Sequence, residues 1–135
     1  MDRKDPQELS KVRLKEATAL LKLGLFDGAY YLAGYSVECA LKACIAKATQ
    51  RGEFLDRKRV VYSHKLRDLI KVAGLEGARL KLADRDPFFQ ANCLVVLSWT
   101  EESRYQRHPP ESARELLGAI ANRQHGVMSW IKLQW

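Results

Sequence analysis

Apolar side chains return at helical spacing over most of the chain, and the breaks between the repeats are marked by glycine or proline. After Asp5-Pro6, which supplies a cap and a first-turn proline, Leu9, Val12, Glu16, Ala19, Leu20 and Leu23 follow a period near 3.6 until Gly24 stops the run. A second helix is predicted from Asp27 to Gln50. Ala33, Val37, Ala40, Leu41, Cys44, Ile45 and Ala48 give it one wide apolar face, and its many small residues allow neighbouring backbones to approach closely. This should be the central helix.

Residues 51–62 mix charges with β-branched residues without a helical period and read as a loop leading to Ser63, a cap for a short helix through Ala73. Gly74 ends that helix, and Leu75 to Ala83 forms another. Pro87 opens a helix carrying Cys93, Leu94, Val96, Leu97 and Trp99. After the Pro109-Pro110 break, a last helix is expected to run unbroken from Pro110 or Glu111 to Ile131. Strand signals are weak. The pattern predicts an all-α, antiparallel, up-and-down bundle of about five helices.

The chain has 135 residues, enough for one domain over 1–135, and 47% of them are hydrophobic with only 4 Pro, a balance that favours a packed interior. The mixed charges of the first ten residues do not resemble a secretory signal. No apolar run approaches the ~20 residues that cross a bilayer, so a cytoplasmic location is expected. Cys39, Cys44 and Cys93 are odd in number and lack a Cys-x-x-Cys pair. They read as buried thiols, and neither a metal site nor a cofactor is expected.

The net charge of +7 is concentrated in residues 51–85, which hold ten Lys or Arg against five Asp or Glu. Arg57, Lys58 and Arg59 are candidates for contact with a polyanion, as is Arg107 further along. Glu38 lies on the apolar face of the central helix, four residues before Lys42, and reads as the anchor of an ion pair in preference to a reactive group. His64 reads as a hydrogen-bonded structural histidine and His125 as a surface residue. Tyr30, Tyr31 and Tyr35 read as core or a dimer seam rather than as a platform for a base. Neither a Walker lysine loop nor a Gly-x-Gly-x-x-Gly turn is present to cradle phosphates.

Three segments carry a family resemblance. The run Leu25-Phe26-Asp27-Gly28-Ala29-Tyr30-Tyr31-Leu32-Ala33-Gly34-Tyr35-Ser36-Val37-Glu38-Cys39-Ala40-Leu41-Lys42-Ala43 resembles the second-helix signature of HEPN domains. Tyr62-Ser63-His64-Lys65-Leu66-Arg67-Asp68-Leu69 with Ala73-Gly74-Leu75, and Trp99-Thr100-Glu101-Glu102-Ser103-Arg104-Tyr105, are similar to later segments of the same group.

The resemblance implies a helical bundle, often dimeric, that either partners a minimal nucleotidyltransferase or acts as a metal-independent ribonuclease. Ribonuclease members place four to six residues between an Arg and a His, whereas Arg104 and His108 here have three. Arg can hold a phosphate while His moves a proton, so the pair is the candidate catalytic site. The shortened spacing, with His108 set before two prolines, favours a module that binds nucleotide, RNA or a protein partner. An endoribonuclease toxin and a purely structural interaction subunit are the alternatives.

Overall fold

The computed structural model describes residues 4–50 and 63–135, and in these the chain is all helical. The expected loop at 51–62, with Arg57, Lys58 and Arg59, lies outside the described residues. The α-helices are α1 (Lys4–Lys22), α2 (Phe26–Gln50), α3 (Leu66–Val72), α4 (Glu76–Arg85), α5 (Pro87–Leu97), α6 (Pro110–Ala121) and α7 (Val127–Lys132), with a 3-10 turn at Glu101–Tyr105. The described residues thus hold seven α-helices where the hydrophobic pattern predicted about five. No helix among the described residues is long and apolar enough to cross a membrane.

Two glycines close helices in the same way. Gly24 at φ 77° and Gly74 at φ 75° occupy the left-handed region, which costs a residue with a Cβ. Each donates its N–H to the carbonyl three residues back, and Leu25 and Leu75 donate to Leu20 and Ile70. These paired bonds satisfy carbonyls that a bare helix end leaves open. The first turn folds α1 back on α2 as a hairpin, fastened midway where the buried Ser10 hydroxyl donates to the Ser36 carbonyl at 2.8 Å.

α2 is the hub, packing against α1, α3, the 3-10 turn, α6 and α7. Its predicted apolar face is buried from Ala33 to Ala48. Gly34 lies where the Trp99 ring crosses the helix: a Cβ built there stands 2.3 Å from three ring carbons, so only glycine admits the indole. Trp99 is 1% exposed, and this contact sets the path of the segment that follows it.

Two expectations are corrected. Ser63 does not cap α3, whose N-cap is Lys65 without a side-chain cap bond. The last helix is broken at Asn122, whose Oδ1 accepts the N–H groups of Gln124 (3.0 Å) and His125 (2.8 Å), and α7 resumes after Gly126. Asparagine offers the backbone an alternative to the helical ladder, and that local competition ends α6. A Cβ on Gly126 would lie 2.2 Å from the Asn122 carbonyl, so the turn requires glycine for space.

Candidate functional site

The segment after Trp99 carries the predicted pair, and the structure holds its two members on different supports. His108 stacks on Tyr30 of α2, with ring centroids 3.8 Å apart and planes 13° apart. Its backbone N–H donates to Asp27 Oδ1 at 2.6 Å, and its Nε2 lies 3.1 Å from the Ser103 carbonyl. A carbonyl only accepts, so this bond assigns a proton to Nε2 and leaves Nδ1 as the other functional nitrogen. Burial raises the Tyr30 phenol above its usual range and keeps it a neutral stacking partner.

Arg104 is exposed, with its guanidinium 4.8 Å from the centre of the Tyr105 ring. Tyr105 and Tyr31 push its already high pKa further up. Tyr30 and Tyr31 are consecutive on a helix and so point about 100° apart. No hydrogen bond or ring contact joins Arg104 to His108 among the described residues. Arg107 is brought to His108 instead: the two line a groove of about 380 Å³ with residues 24–28 at the start of α2. Asp27 faces the same groove, so its carboxylate offsets the formal charge of Arg107.

The Glu38 cluster forms as the spacing predicted and gains members that the sequence did not reveal. Glu38 is 1% exposed, and Lys42 Nζ donates to its Oε2 at 3.0 Å. His64 Nδ1 lies 3.1 Å from the same oxygen, and its Nε2 lies 3.4 Å from Glu101 Oε2. The imidazole therefore links α2 to the 3-10 turn. A neutral ring has one N–H and can donate to only one of these carboxylates, whereas a doubly protonated ring serves both. The chain of contacts satisfies a buried carboxylate, a role that fits the ion-pair anchor. Beside it, a groove of about 450 Å³ runs between the start of α1 and α2.

The remaining candidates are structural. Tyr31 packs on Tyr35 and Trp99 of its own chain, at 6.0 and 5.9 Å between centroids. His125, expected at the surface, is half-buried and its Nδ1 lies 2.6 Å from Asp86 Oδ2. Asp86 also caps α5 by accepting from Phe88 and Phe89, and the His125 bond is the main reason its carboxyl is held below the usual range. Arg79 was not foreseen: it is 7% exposed and paired with Glu76 at 2.6 Å, where the i,i+3 spacing is the signal that could have found it.

The three cysteines are buried and free. Burial pushes Cys39 and Cys93 up to about 11 and Cys44 up to about 12. Among the described residues no group of three His, Cys, Asp or Glu side chains could hold a metal ion. Comparison of the chain with protein-family models, with curated proteins and with solved structures finds no match in any of the three.

Proposed function

We propose that this chain is a HEPN-type helical module that binds a ribonucleotide or RNA in the groove between the start of α2 and Arg107-His108. One observation carries the reading: His108 is fixed on three sides, with its Nε2 proton committed to Ser103, while Arg107 lines the same groove. A neutral Nδ1 accepts a hydrogen bond from a ribose hydroxyl, and Arg107 pairs with the adjacent phosphate. The two groups together suit a sugar-phosphate unit better than a free phosphate, whose charge Asp27 partly opposes. A cytoplasmic location, a homodimer and a minimal nucleotidyltransferase partner in a toxin–antitoxin-like or defence system belong to the same proposal and rest on the resemblance in sequence.

Calorimetric titration with 3′-AMP and its 2′-deoxy counterpart tests this. The ribonucleotide should bind about 2- to 10-fold more tightly, the value of one neutral hydrogen bond. Arg107→Gln should cost about 10- to 100-fold, the range for a charged one. Equal affinity for both nucleotides, unaffected by Arg107→Gln, refutes the groove as the site.

The second reading is a metal-independent endoribonuclease, favoured by the same fixed tautomer, because Nδ1 is then placed to take a proton from a 2′-hydroxyl. Its Arg104 stands on Tyr105 and Tyr31 and is not hydrogen-bonded to His108, which argues for the binding role. Cleavage of labelled RNA that survives chelation and is lost in His108→Phe would decide for the enzyme. Phenylalanine keeps an aromatic ring to stack on Tyr30 and removes the ring nitrogens together with the Ser103 bond.

A further inference from the structure

At the other end of α2, three lysines from three helices converge on the last residues of the chain. Lys11 of α1 lies 6.0 Å and Lys132 of α7 5.8 Å from the centre of the Trp135 ring. Lys47 of α2 donates to the Gln134 carbonyl at 3.1 Å. Residues 39–50 and 116–135 contain no Asp or Glu, and among the described residues Lys11 is paired with Glu8, at 3.5 Å on a 70% exposed side chain. An ion pair that exposed is worth little, so Lys11 can exchange it for another anion at small cost. The stretch from Asp27 to Lys47 spans about 30 Å of helix, so this surface is separate from the His108 groove.

Lys11 and Lys132 are exposed, Lys47 and Trp135 are half-buried, and the open side of this basic cluster around an indole matches the chemistry of single-stranded nucleic acid, whose phosphates take ammonium groups and whose bases have faces for an aromatic ring. A bilayer surface is a poorer fit. An interfacial helix needs a continuous free apolar face, and Val127, Met128, Trp130 and Ile131 of α7 are all buried in the core, leaving Leu133 alone at 80% exposed.

We propose that Lys11, Lys47, Lys132 and Trp135 form a contact surface for single-stranded nucleic acid, in which the lysines bind phosphates and Trp135 packs against a base. The inference rests on the RNA-binding reading and gives a strand a second foothold beyond the groove. Each phosphate contact on a single strand contributes about 0.7 to the slope of log affinity against log salt.

The test is fluorescence anisotropy of a labelled oligouridylate long enough to span both ends of α2, between ~50 and ~200 mM salt. The Lys11→Gln, Lys47→Gln, Lys132→Gln triple variant should flatten the slope by about 2, with its fold checked by circular dichroism. If the triple variant does not fold, the Lys11→Gln and Lys132→Gln single variants should each remove about 0.7.

Trp135→Phe should remove the tryptophan quenching that accompanies binding, since Trp99 and Trp130 are buried. An equal loss on oligothymidylate supports phosphate contacts. An unchanged slope in the lysine variants overturns the proposal, as does binding of phosphatidylserine vesicles that is lost in the triple variant while RNA binding is kept. Wild-type protein that binds 3′-AMP but no RNA overturns this surface and keeps the groove; lysine-dependent RNA binding without 3′-AMP binding overturns the groove and keeps this surface.

Discussion

Replacing Gly34 by alanine should unfold the protein more easily even though alanine is the better helix former. The added methyl meets three carbons of the Trp99 ring at 2.3 Å, well inside van der Waals contact. The ring cannot yield freely, because Trp99 is 1% exposed and packs on Tyr31 at 5.9 Å. Forcing a methyl into such a site costs about 1–3 kcal/mol, and a rigid indole places the cost at the upper end. Alanine returns about 1 kcal/mol of helix propensity, leaving a net loss of about 2 kcal/mol. For a chain of this size that corresponds to a fall in Tm on the order of 6–10 °C.

Gly118→Ala is the matched control. Gly118 also lies in a helix, but a Cβ there meets nothing within 4 Å, so the same change should stabilise by about 0.5–1 kcal/mol. Thermal melts followed by circular dichroism read both, and Gly34→Ala combined with Trp99→Leu should lose less than the sum of the two single changes. A Gly34→Ala protein as stable as wild type would refute the packing argument. It would also detach the position of the His108 segment from the Trp99 contact, since residues 100–108 follow directly from that ring.

Three further outcomes follow from the polar groups. The native cysteines should resist Ellman's reagent at pH 7, because burial holds them at about 11 to about 12, and all three should react after denaturation. Asp86 has a folded pKa below its unfolded one, so its contribution to stability is present above the unfolded value of about 3.9 and is lost as pH falls through the folded value. Urea midpoints of wild type and Asp86→Asn should therefore converge in acid and separate near neutrality. Glu38→Gln should lower stability by about 1–3 kcal/mol in urea titrations, because it removes the charge and one of the two carboxylate oxygens that hold Lys42 and His64.

What could be read from the sequence was what a helix encodes in its own period. The apolar face from Ala33 to Ala48, the Glu38–Lys42 pair four residues apart, and the stops at Gly24 and Gly74 each depend on neighbours within one or two turns, and each is present in the fold. The break at Asn122 is local too, but its signal is a side chain competing with the backbone, and the hydrophobic pattern of Leu116 to Trp130 runs through it unchanged.

The contacts that define the sites are of another kind. His108 meets Tyr30 across 78 residues, His64 meets Glu38 across 26, and Lys11, Lys47 and Lys132, on three different helices, meet only because each reaches Gln134 or Trp135. None of these pairings has a spacing rule. The short Arg104–His108 interval drew attention to a pair that the fold then divides: the 3-10 turn presents Arg104 to Tyr105 and Tyr31, while the extended residues before Pro109 bring Arg107 beside His108. Counting intervening residues in a motif assumes that the backbone between them is regular. Here the backbone changes from a 3-10 turn to an extended strand of chain within those three residues, so the side chain that shares the groove with the imidazole is its immediate neighbour.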